Sequence, residues 1–228
     1  MTVAVAVAVA VAVAVFVAAM VAVWLVIRAR RRSAAVGCLF EECGWLSVQE
    51  GDATVVQPND RSWTLRVARS FAAQQSSSTR IVTSTWSVSS PRSESGALLV
   101  GPTPPGPLRE LAVQLIGSIP TNGKVAGWLG LARIGDGVPL RHLTSVDARL
   151  LALATDDVVR VGSLTGLADA VVTWCSTRSR DADQPAVTFD GDGVAVRVRI
   201  DVLRSAEQIG DFVELGERCA AAFDTAAR

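Results

Sequence analysis

The chain has 228 residues, half of them hydrophobic, with 22 basic and 22 acidic side chains, one histidine, four cysteines and no tyrosine. All the charge lies after Ile27, and setting aside Arg28, Arg30, Arg31 and Arg32 leaves 18 basic against 22 acidic residues for Ser33 to Arg228. That mildly acidic balance excludes nucleic acid as the main partner, because neutralising phosphates takes a clustered basic surface.

Thr2 to Ile27 is uncharged and is nearly a Val-Ala repeat from Val3 to Val15. The period alone reads as a strand. In lipid, a lone strand leaves its backbone groups unpaired, whereas a helix satisfies them internally; valine's poor helix propensity costs well under about 1 kcal/mol per residue. A helix of this length exceeds the roughly 30 Å of bilayer hydrocarbon. Residues 1–32 are therefore expected to form a single transmembrane helix, an uncleaved signal-anchor closed by a basic stop, with Trp24 at the interface. A cleaved signal peptide would need a basic n-region, which is missing. Four Arg after the span and none before it place the N-terminus outside and the C-terminal domain in the cytoplasm, at the cell membrane. The expected partners are the lipid bilayer through residues 2–27, anionic headgroups near Arg28, Arg30, Arg31 and Arg32, and a protein partner for the domain.

Residues 33–228 are long enough for one core. Val36, Leu39, Phe40 and Cys43 recur at helical spacing, so a short helix is expected from Ser33, ended by Gly44 and Trp45. Strand-like runs follow at Thr54 to Gln57, Ser62 to Phe71 and Arg80 to Val88, the last two forming a hairpin around the polar loop Gln74 to Thr79. Ala97 to Val100 reads as a further strand. Pro107 suits the first residue of a helix to Ile116, and the Gly-rich stretch from Gly117 to Arg141 has no clear pattern. Ser145 to Ala154 reads as a helix capped by Ser145 or Thr144, Asp157 to Val161 as a strand, Leu164 to Cys175 as a helix, and Asp181 to Pro185 as a loop. Ala186 to Phe189 and Val194 to Leu203 flank Asp190-Gly-Asp-Gly, a hairpin turn signal. Ser205 then opens a helix with Gln208 at capping-box spacing and an apolar stripe of Ile209, Phe212, Val213, Leu215, Cys219 and Phe223. Strands and helices do not alternate regularly. The fold class expected is α+β: the transmembrane helix, then one mixed domain with antiparallel hairpins and packed helices.

Candidate chemistry is sparse. Gly117 to Lys124 suggests a phosphate loop, but its glycines are separated by five residues instead of four and Val125 follows the lysine where Ser or Thr would hold magnesium. Asp190, Asp192 and Asp201 suggest a calcium loop, but valines replace ligands and Ala195 replaces the glycine. His142, with Arg141 beside it and Asp147 five residues on, lacks a nucleophile elbow. The pairs Glu41, Glu42 and Asp156, Asp157 point in divergent directions on a regular element. Cys38 and Cys43 are five apart with no histidine near, Cys175 and Cys219 sit on apolar helical faces, and a cytosolic site keeps thiols reduced. No catalytic, cofactor-binding or metal-ligating residue is assigned, and no cofactor is expected.

The order of features also resembles a group of proteins. Trp24 to Arg32 reads Trp-Leu-Val-Ile-Arg-Ala-Arg-Arg-Arg, Phe40 to Trp45 reads Phe-Glu-Glu-Cys-Gly-Trp, and a Ser-rich β region, Gly96-Ala-Leu-Leu-Val and a terminal strand-helix unit follow. This looks like the single-pass membrane proteins of actinobacteria whose cytoplasmic α+β domain is uncharacterised. The resemblance is architectural, covers most of the chain and implies no catalytic residues. The function expected is a non-enzymatic, membrane-anchored cytoplasmic interaction domain with an exposed apolar patch. The alternatives are an enzyme acting at the inner leaflet and, with inverted orientation, an extracytoplasmic domain.

Overall fold

The computed structural model describes residues 2–74, 77–89, 97–103, 141–143, 148–155, 164–178, 184–190 and 192–226, with side chains for all of these except 2–15, 70–74, 77–81 and 224–226. The expected helix from Pro107, the strand from Asp157, the Gly117 to Lys124 loop, Ser145, Asp147 and Asp156 with its neighbour lie outside these residues. The described residues form an α+β fold with a long N-terminal helix α1 (Thr2–Cys43), an antiparallel sheet of nine strands, and two helices packed on one face of the sheet.

The strands are β1 (Trp45–Glu50), β2 (Ala53–Pro58), β3 (Thr64–Gln74), β4 (Ser77–Ser89), β5 (Leu98–Pro102), β6 (Arg141–His142), β7 (Leu150–Ala154), β8 (Ala186–Asp190) and β9 (Gly193–Val198). Their order is β1-β2-β3-β4-β9-β8-β5-β7-β6. A meander makes one half, and the terminal hairpin β8-β9 inserts beside β4 to join the halves. Two-residue connections close the tight hairpins. Glu50 pairs with Ala53 and Gly51 between them has φ of 61°, the left-handed region that a first turn residue of the II′ class requires. In the β8-β9 turn the Asp190 carboxylate accepts from the Asp192 N–H at 3.0 Å. Asp201 likewise accepts from the Leu203 N–H at 3.2 Å, capping a 3-10 turn over Val202–Arg204. Asp201 also pairs with Arg69 at 3.1 Å, tying that turn to β3.

Helices α2 (Thr165–Ser176) and α3 (Ala206–Ala226) cover one face. The expected Ser205 cap is present, its Oγ accepting from the Gln208 N–H at 3.3 Å. The expected stripe of Ile209, Phe212, Val213, Leu215, Cys219 and Phe223 is buried throughout. It meets Leu65, Val67, Trp86, Leu98, Val100, Val196 and Val198 from the sheet in a single core. Each fully buried large apolar side chain contributes on the order of 1.5–3 kcal/mol. The inner end of α1 adds Val36, Leu39 and Phe40 to the edge of this core, and Gly44, with φ of 64°, ends the helix as a left-handed cap residue.

Several expectations are corrected. Among the described residues no helix is long and apolar enough to cross a membrane. Arg28, Arg30, Arg31 and Arg32 lie within α1, which continues to Cys43 instead of stopping. The single-pass signal-anchor, its N-out, C-in orientation and the location at the cell membrane that followed from it are withdrawn. Leu150 to Ala154 is a strand, not the end of a helix. Leu150, Ala152 and Ala154 face the core while Leu153 is buried on the other face, and a strand covered on both sides reads as a continuous apolar run with no period of two. The run from Val194 stops as a strand at Val198, because the capped 3-10 turn bends the chain away before Leu203. The polar Gln74 to Thr79 loop is shorter than expected: the β3-β4 pairing runs on to Gln74 opposite Ser77. Trp45, expected to end the helix, instead opens β1, and Leu46 to Glu50, for which no element is expected, complete it.

Candidate functional site

The residues singled out for chemistry are dispersed. His142 is half-buried on β6, opposite Leu153 of β7. Asp190 and Asp201 are both occupied in capping and stand at opposite ends of β9. Glu41 and Glu42 are exposed at the end of α1. Arg28 lies over the Trp24 ring at 5.0 Å, one helical turn away. All four cysteines are free. Burial pushes the Cys219 thiol up to about 12, which keeps it protonated and inert at ordinary pH. Burial also raises Cys175, against the opposing pull of the Arg178 charge. Among the described residues no group of three or more His, Cys, Asp or Glu side chains is placed to hold a metal ion.

A groove of about 180 Å³ lies between α2 and α3, lined by Trp174, Thr177, Arg178, Asp211 and Arg218 among others. The Arg178 guanidinium stacks 3.5 Å from the Trp174 ring centre and pairs with Asp211 at 2.6 Å. Arg218 pairs with Glu214 at 2.6 Å, and the Thr177 hydroxyl donates to the Trp174 carbonyl at 3.0 Å. The charges are thus matched within the groove, whose volume is below the roughly 300–1,000 Å³ of small-molecule sites. It holds the two helices together.

The open edge of the sheet is different. β1 pairs with β2 alone and terminates the sheet, and every residue in it except Trp45 is exposed. Outside α1, Leu46 and Val48 are the large hydrophobic side chains exposed among the described residues, each by about half. Alternation puts them on the face away from α2 and α3, Val48 beside Val55 of β2. On the other face Trp45 is wedged between Phe40, at 6.2 Å, and Trp63, at 5.1 Å edge-on, fixing the strand to the core.

Gln49 and Glu50 of β1 are engaged with their own sheet. Gln49 donates to the Gly51 carbonyl and accepts from the Thr54 hydroxyl, both at 2.9 Å, and Glu50 pairs with Arg66 at 3.0 Å. Edge strands are ordinarily blunted by lysine, proline, a bulge or shortness. The opposite edge, β6, is two residues long, whereas β1 has six residues in unbroken register with β2 and contains neither lysine nor proline. Because the Glu50-Ala53 pair closes a two-residue hairpin, Leu46, Val48 and Glu50 bond to β2, and the backbone groups of Trp45, Ser47 and Gln49 point outward. The sequence carries a signal for this strand: Leu46, Val48 and Glu50 alternate with Ser47 and Gln49 up to Gly51-Asp52, a two-residue hairpin signature.

No family model, no curated protein and no solved structure matches the chain. The resemblance to actinobacterial single-pass proteins therefore gains no support from them, and the edge is interpreted from its own geometry.

Proposed function

We propose that the chain is a non-enzymatic interaction domain that makes its contact by strand pairing at β1. The observation that carries this reading is an open, unblunted edge strand that exposes Leu46 and Val48 and whose Gln49 and Glu50 side chains are satisfied at home. Main-chain hydrogen bonds would supply affinity, and the Leu46-Val48 stripe would supply specificity, as in other strand-addition contacts. The stripe is narrower than the broad apolar patch expected from the sequence. An edge needs less, since its unpaired backbone groups already form a template.

A photo-reactive amino acid introduced at Val48 of the full-length chain in cells tests it. Crosslinked adducts are expected at Val48 and absent at Glu217, exposed on α3. A chain that crosslinks at neither position, or only at Glu217, contradicts the proposal.

A further inference from the structure

We infer that the occupant of the β1 edge is a second copy of the same chain, paired antiparallel about a two-fold axis through Ser47. The inference rests on the reading of β1 as a pairing edge and names the partner. A two-fold axis normal to the sheet keeps each face on its own side, so opposed residues must share parity and a residue must sit on the axis. With Ser47 there, Ser47 meets Ser47 of the second copy, and Trp45 meets Gln49 of the second copy twice. All the outward-pointing backbone groups are then satisfied, in about six hydrogen bonds.

The same register sets Leu46 against Val48 of the second copy in the non-hydrogen-bonded positions, where side chains approach most closely. Four apolar side chains become one patch, continuous with Val55 on the helix-free face. Moving the axis to Val48 leaves Trp45 unmatched and sets Leu46 against Glu50 of the second copy. No charged side chain falls within Trp45 to Gln49, and Glu50 is already neutralised by Arg66, so no like charges oppose each other across the axis. A foreign strand would have to carry the Leu-x-Val alternation at the right phase, and a second copy supplies it by symmetry.

The test uses the full-length chain with Cys38→Ser and Cys43→Ser, removing the exposed thiols near the edge. Ser47 is exposed, so Ser47→Cys can be introduced without disturbing the core. The axis brings the two Cα atoms to about 5.5 Å, within disulfide range, and mild oxidation is expected to give a linked dimer. Gln49→Cys places the two thiols four residues apart along the ladder, on the order of 13 Å, and is expected to stay unlinked. Adding Val48→Lys to Ser47→Cys is expected to suppress linkage at least tenfold. Equal linkage at both positions, or none at Ser47→Cys, overturns the inference. If Ser47→Cys stays unlinked while the Val48 photo-adduct contains a different protein, self-pairing fails and the edge reading survives; with no adduct either, both fail.

Discussion

Trp86→Ala is expected to lower the free energy of unfolding by about 3–5 kcal/mol, the range for deleting a buried aromatic side chain. Trp86 is 1% exposed in the C-terminal half of β4, with Trp63 at 6.5 Å and α3 pressed against its other side. Gly216 makes that approach achievable: a Cβ built there would collide with the Trp86 ring. In an ordinary helix, Gly→Ala gains up to about 1 kcal/mol. Gly216→Ala is expected to have the opposite sign, a loss of about 1–3 kcal/mol, because overpacking a ring held between a sheet and a helix outweighs propensity. Combining Gly216→Ala with Trp86→Leu should cost less than the two separate losses added together, since the smaller side chain makes room for the new methyl. Urea denaturation of the four proteins measures each term, and additive losses would show that the Gly216-Trp86 contact is not what seats α3.

Ser84→Ala is the second large effect, expected at about 1–3 kcal/mol although only one oxygen is removed. Ser84 is fully buried in β4. Its hydroxyl donates to the Ile200 carbonyl at 2.5 Å and accepts from the Val202 N–H at 3.3 Å. Those two backbone groups belong to the bend that takes the chain off β9 into the 3-10 turn and on to α3. Alanine leaves both without the hydroxyl, and burial denies them easy replacement by water. Ser84→Thr, which keeps the hydroxyl, should recover a measurable part of the loss. A Ser84→Ala midpoint within about 0.5 kcal/mol of the native protein, the range of ordinary surface substitutions, would contradict this role.

Much of the scaffold is legible in the sequence where local signals agree. Ser205, Gln208 and the stripe from Ile209 to Phe223 specify α3 by cap and period together. Asp190-Gly-Asp-Gly marks the β8-β9 turn, and alternation around Leu65, Val67, Ser84 and Trp86 marks β3 and β4. The exceptions have physical causes. Leu150 to Ala154 lacks a period because both its faces are buried. Leu46 and Val48 resemble a failed core pattern, because on an edge strand the apolar side chains point to solvent. The Val-Ala run gives a helix, as expected, but that helix runs on through the arginines to Cys43 instead of stopping at them. Least legible is the site. Whether β1 lies at an edge depends on the order of all nine strands, including the insertion of β9 beside β4, and no local signal encodes that order.

The most direct measurement of the central claim is amide hydrogen exchange, resolved at single residues, on the full-length chain at high and low concentration. The N–H groups of Ser47 and Gln49 point away from β2, so only a strand added to the edge can protect them. Slow exchange at both in the concentrated sample, accelerating on dilution while Val48 stays protected by β2, is the predicted result. Exchange of Ser47 and Gln49 at unprotected rates at every concentration would contradict it.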